Sequence, residues 1–90
     1  MNLAMLEIEL NKNEFNYLCQ ALFLEDKHRK LIFSSQQQDN KYLLKISEDQ
    51  ADEIRDLCGE RLQIAGFDEK YELTPEGKIL ESLEDKFFVG

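Results

Sequence analysis

Asp49, Glu53, Asp56 and Glu60 stand at i, i+4, i+7 and i+11, a spacing that lays four carboxylates along one side of a helix. They belong to the run from Glu48 to Glu60, which holds six acids and one base, a net charge of −5. Like charges at i and i+4 oppose helix formation by about 0.2–0.5 kcal/mol per pair. A stripe that works against its own helix suits a partner, here a basic protein surface that charge complementarity would attract and orient. Asp49, Asp52, Glu53, Asp56 and Glu60 are therefore the expected partner-binding residues. The plain alternative is a solvated face that keeps an acidic protein in solution. A divalent cation is not expected on these acids. A calcium loop needs oxygens at alternating positions around a sharp glycine turn, and helical spacing does not converge carboxylates in that way.

The other chemistry-bearing residues read as structural. Cys19 and Cys58 both fall on apolar helical faces, where a thiol acts as a small hydrophobe with a raised pKa. There is no Cys-x-x-Cys pair and no Cys/His cluster for zinc. The single histidine, His28, lies in Lys27-His28-Arg29-Lys30, a basic run without interleaved aromatics, read as the cationic end of a helix. The glycines at 59, 66, 77 and 90 make no phosphate-cradling loop, and one histidine assembles no nucleophile triad. No enzyme activity, metal or cofactor is expected.

The composition agrees with a binding role. Ninety residues carry 11 Lys+Arg against 19 Asp+Glu, a formal charge of −8, and leave room for one domain spanning residues 1–90. The acid excess argues against nucleic acid, because affinity for a phosphate backbone rests on Lys and Arg. No apolar run approaches the roughly 18 residues of a membrane helix. The N-terminus has no basic segment and meets Glu7 early, and two cysteines make no disulfide framework, so a cytoplasmic protein is expected. A domain this small buries only about 60–65% of its unfolded surface. A partner surface, or self-association, would add burial.

The elements that must position these residues follow from periodicity and capping signals. Leu6, Ile8 and Leu10 alternate with Glu7 and Glu9, predicting a strand. Asn11 with Glu14 predicts a capped helix whose face is Phe15, Leu18, Cys19, Leu22 and Phe23. Glu25 to Lys30 reads as a solvated loop. Leu31-Ile32-Phe33 and Tyr42 to Ile46 read as two strands, with Ser34 to Asn40 as a hairpin loop longer than the tightest kind. Lys41, Leu43 and Lys45 share the strand face opposite Tyr42, Leu44 and Ile46, predicting a sheet wet on one side. Ser47 with Gln50 caps a second helix with the apolar face Ala51, Ile54, Cys58, Leu62 and Ala65. Gly66 is placed as a left-handed C′ residue, with Phe67 over Leu62. Thr74-Pro75-Glu76 opens the last helix, with its stripe of Ile79, Leu80, Leu83 and Phe87. The expected fold class is α+β: a two-layer β-α-β-β-α-α domain, a small three-stranded sheet with helices packed on one face.

Two resemblances bear on function. Tyr71-Glu72-Leu73-Thr74-Pro75-Glu76-Gly77-Lys78 resembles the wing strand and final helix of winged-helix regulators. The rest of the chain departs from that pattern, and the helix in the recognition position, Ser47 to Ala65, is the most acidic element, so DNA binding is not expected. Taken whole, in size, acidity and element order, the chain resembles the small acidic immunity proteins that accompany bacterial polymorphic and contact-dependent toxins. That resemblance implies a stoichiometric inhibitor covering a basic toxin surface, with Ser47 to Ala65 and Thr74 to Phe88 as partner-facing helices. It transfers no functional residue. The expected function is a non-enzymatic protein-binding module, in its most concrete form an immunity-type inhibitor that masks a basic effector. The alternative is a self-associating structural or accessory protein that uses the second sheet face or residues such as Ile32, Leu43 and Phe88.

Overall fold

A computed structural model describes residues 5–88. The chain runs β1 (Met5–Asn11), α1 (Lys12–Gln20), α2 (Asp26–Phe33), β2 (Gln36–Gln38), β3 (Lys41–Ser47), α3 (Glu48–Ala65) and α4 (Pro75–Lys86). The three strands form one antiparallel sheet in the order β1-β3-β2. β1 and β3 pair along their whole length, from Met5 opposite Ser47 to Asn11 opposite Lys41. Strand alternation sends Ile8, Leu10, Leu44 and Ile46 into the core and leaves Glu7, Glu9, Lys41 and Lys45 exposed on the other face. Helices α1, α2 and α3 lie on the apolar face, and α4 packs on α3. The fold is the two-layer α+β arrangement that the alternation predicts, with one sheet face wet.

One helix is added to the expected order, which is β-α-α-β-β-α-α. Glu25 to Lys30 is not a loop and Leu31-Ile32-Phe33 is not a strand; both belong to α2 and to the residue that caps it. Leu24, His28 and Ile32, at i, i+4 and i+8, are all buried, so they form one helical stripe against the core. That burial overrides the strand preference of an Ile-Phe pair, which is itself mostly a preference for a half-buried surface. Ile32 is fully buried and contributes nothing to an exposed patch. The middle sequence strand is instead β2, in a stretch without an apolar residue. Gln38 pairs with Lys41, so only Asp39 and Asn40 make the turn, and the hairpin is of the tightest kind. Asp39 takes φ 56°, a left-handed conformation that Asp tolerates. Turn geometry, rather than burial, sets the pairing of Gln36–Gln38, all of which are exposed.

Capping fixes where the helices begin. The Glu14 amide donates to Asn11 Oδ1 at 2.8 Å and the Asn11 amide to Glu14 Oε1 at 2.9 Å, the box the sequence predicts. Ser47 and Gln50 repeat it at α3, and Thr74 Oγ1 accepts from Gly77 at α4. The helix ends are less regular. α1 stops at Gln20, so Leu22 and Phe23 fall outside it, and Leu22 is 96% exposed.

The end of α3 also differs from the expected left-handed cap. Gly66 has φ −82°, in the right-handed region, and Phe67 forms an antiparallel backbone bridge with Leu73. The glycines here supply space, not a special dihedral. The Thr74 amide donates to the Gly66 carbonyl at 2.8 Å and Thr74 Oγ1 to the Ala65 carbonyl at 3.0 Å, which pulls the start of α4 onto the end of α3. A Cβ on Gly77 would overlap that Gly66 carbonyl. Gly77→Ala is accordingly expected to lower the unfolding free energy by about 2 kcal/mol, within the range for overpacking. A urea titration checks this; an unchanged midpoint would show that the start of α4 can back away.

Candidate functional site

Helix α3 buries Ala51, Ile54 and Cys58, and its opposite face carries the residues singled out in the sequence. Asp49, Asp52, Glu53, Asp56 and Glu60 are all exposed there. The structure separates them into two groups. Glu53 is taken up by the protein itself: Oε2 lies 2.9 Å from His28 Nε2 and 3.3 Å from Lys27 Nζ, both on α2. His28 is not in a solvated loop but is 1% exposed. Its Nδ1 accepts from the Glu25 amide at 3.2 Å, so the ring proton sits on Nε2 and is donated to Glu53. The hydrogen bond from His28, then that from Lys27, hold the Glu53 carboxyl below its ordinary range, and Glu53 raises Lys27 in return. With both ring nitrogens engaged, the pair braces α2 against α3 and leaves no free base. Asp49, Asp52, Asp56 and Glu60 make no ion pair among the described residues.

His28 therefore has a structural task that can be measured. His28→Ala removes the acceptor of the Glu25 amide and the donor to Glu53, and leaves a void under α2. The expected loss is about 2 kcal/mol of unfolding free energy by urea titration. A loss within experimental error would show that neither bond matters to the docking of α2.

A second cluster was not visible from spacing. Tyr17 on α1, Arg61 on α3 and Glu76 on α4 meet beside a cleft of about 320 Å³ that Leu22 and Phe23 also line. The Tyr17 hydroxyl donates to Glu76 Oε2 at 2.5 Å, and Arg61 Nε donates to the same oxygen at 3.0 Å. Burial, then the hydrogen bond to Glu76 and the Glu76 charge, raise the Tyr17 hydroxyl well above its usual range. Arg61, then Tyr17, lower the Glu76 carboxyl, so at neutral pH the acid is ionised and the phenol is not. All three groups are committed to one another, and the cluster joins three helices. Tyr17 and Glu76 are 59 residues apart, so no local motif could announce it.

Glu14 is the third site, and it exceeds its role as a cap. Its Oε2 accepts from Ser82 Oγ at 2.7 Å and its Oε1 from Lys86 Nζ at 2.5 Å, both on α4. The side chain is 3% exposed. Burial pushes the carboxyl up, but bonds from Lys86, Asn11 and Ser82 outweigh it and leave the pKa lowered. The two cysteines lie where the apolar faces place them. Cys58 is fully buried, and burial with the nearby Glu84 charge pushes its thiol up to about 12. Cys19 is half-buried and also raised by burial.

Among the described residues, no three His, Cys, Asp or Glu are grouped to hold a metal ion, and no helix is long and apolar enough to cross a membrane. The segment that resembles a winged-helix wing contributes only the Phe67–Leu73 bridge before α4 begins. Comparisons of the chain with protein families, with curated proteins and with solved structures give no match.

Proposed function

We propose that the chain is a non-enzymatic protein-binding module whose α3 face docks a basic partner. One observation supports this most: the fold engages Glu53 with an ion pair from Lys27 and a hydrogen bond from His28, and leaves Asp49, Asp52, Asp56 and Glu60 exposed with no ion pair among the described residues. An exposed stripe of like charge costs helix stability, and it offers a basic surface faster and better-oriented association. The most concrete form is an immunity-type inhibitor that masks a basic effector. Glu53 belongs to this face by position, but as a brace for α2 it is the wrong residue to alter in a test.

The test is a pull-down from the source lysate at low and high salt, with wild type and a triple variant Asp49→Lys, Asp56→Lys, Glu60→Lys. The expected result is a basic protein held near one-to-one, released by salt, and associating about tenfold or more slowly with the variant, the scale of electrostatic steering. Equal capture by variant and wild type sinks the assignment. A second reading, self-association, is favoured by exposed apolar side chains at the α3–α4 turn and chain end: Ile64, Tyr71 and Phe88 are 77%, 88% and 60% exposed. Light scattering over a range of concentrations separates the two, since a strict monomer excludes the second.

A further inference from the structure

We propose that the outer edge of β1 is a docking site for an extended, basic segment of another protein, added as a fourth strand to the sheet. This surface is separate from the α3 face and does not depend on that assignment. The order β1-β3-β2 leaves two edge strands, and they are managed differently. β2 is short, Gln36–Gln38, which blunts it as a template. β1 spans Met5–Asn11, about 23 Å at strand rise, and pairs with β3 in one unbroken register without a bulge. It contains no Pro, Gly or Lys, the residues that commonly protect an edge. Among the described residues, β1 pairs with β3 alone, so the amides and carbonyls that face away from β3 meet no other strand.

The charges on β1 select the occupant. Glu7 and Glu9 are exposed on the open face of the sheet. On the inner side, β3 answers them with cations: Lys45 lies opposite Glu7, and Lys41 Nζ is 3.6 Å from Glu9. A strand added outside β1 would face the same two carboxylates. Cross-strand pairs of opposite charge stabilise a sheet, and like charges directly opposite destabilise it. A second copy of β1 is therefore a poor occupant. Antiparallel pairing centred on Ile8 sets Glu7 against Glu9 of the other copy, and sliding by two residues sets Glu7 against Glu7 or Glu9 against Glu9. A segment with Lys or Arg at alternate positions instead places each glutamate between two cations. Ile8 and Leu10 are already buried, so the added strand gains backbone bonds and charge pairing rather than apolar area, and its binding is salt-sensitive.

The experiment is amide hydrogen exchange on the full chain with two end-blocked probe peptides, one alternating Lys with Val and the other Glu with Val. The Lys peptide is expected to slow exchange of alternate amides in Glu7–Leu10, and the Glu peptide to leave them unchanged. The double variant Glu7→Lys, Glu9→Lys should reverse that preference, binding the Lys peptide about tenfold more weakly. A milder pair, Glu7→Gln with Glu9→Gln, keeps the strand if the lysines unfold it, and should weaken the Lys peptide without admitting the Glu peptide. Lys-peptide effects confined to the Asp49–Glu60 face would overturn the proposal. So would protection of the β1 amides that grows with protein concentration in the absence of peptide, which identifies a second copy as the occupant. The α3 triple variant should keep the β1 protection, so failure of one site is distinguishable from failure of the other.

Discussion

Phe87→Ala is expected to lower the unfolding free energy by about 4 kcal/mol, the upper part of the range for deleting a buried aromatic ring. Phe87 is the largest fully buried side chain among the described residues, and it sits at the C-cap of α4, one residue beyond the last helical position. Its amide donates to the Leu83 carbonyl at 2.9 Å, which holds the ring in line with Leu80 and Leu83 on the face packed into the core. A domain of this length is stable by only about 5–13 kcal/mol in total. The substitution therefore removes a large share of the margin. A urea titration followed by circular dichroism reads the change directly. A loss under about 1 kcal/mol, the scale of a surface substitution, would mean that the end of α4 is not anchored by this ring. Phe88, its neighbour, is 60% exposed beneath the Arg55 guanidinium, and Phe88→Ala serves as the control with little expected loss.

Glu14→Ala is expected to cost about 3 kcal/mol at pH 7, because it leaves the Asn11 amide, Ser82 and Lys86 without their shared acceptor. Lys86 is one-third exposed, so water recovers part of its loss and the cost stays at the low end for a buried pair. The acid dependence has a definite sign. The folded-state pKa of Glu14 lies below the ordinary 4.5, so the folded protein holds fewer protons than the unfolded chain as the pH falls past that value. The stabilisation is complete above about pH 4.5 and disappears as the pH drops through the lowered folded value. Glu76 and Glu53, also lowered, act in the same direction. Urea midpoints between pH 7 and pH 3 should fall on the acid side for wild type and fall less steeply for Glu14→Gln. Equal slopes would show that this carboxylate does not govern the acid limb.

What could be read from the sequence was the chemistry of helix starts and of strand alternation. Asn11, Ser47 and Thr74 cap where short-range rules place them, because a cap depends on residues three positions apart. The sheet faces follow for the same reason. α2 was hidden by its own composition. Lys27, Arg29 and Lys30 mask a buried stripe whose middle member, His28, counts as polar in any hydropathy pattern. β2 was hidden for the opposite reason: Gln36–Gln38 has no apolar residue, and its pairing comes from the turn at Asp39-Asn40. The acidic stripe of α3 was legible from spacing. The capture of Glu53 was not, since it requires α2 to be a helix. The Tyr17–Arg61–Glu76 cluster was also out of reach, because it joins residues from three elements.

The bonds that Glu14 accepts from Ser82 and Lys86 span 68 and 72 residues. Proteins are made from the N-terminus, so during synthesis Glu14 waits in water while its partners have yet to be joined to the chain. In that interval α1 has its cap but not its anchor, and the core lacks Leu80, Leu83 and Phe87. β1 can meet β3 earlier, leaving a nascent sheet with one apolar side partly uncovered. Helix α4 is thus the one that closes the molecule, and the fold is completed only once that helix has left the ribosome.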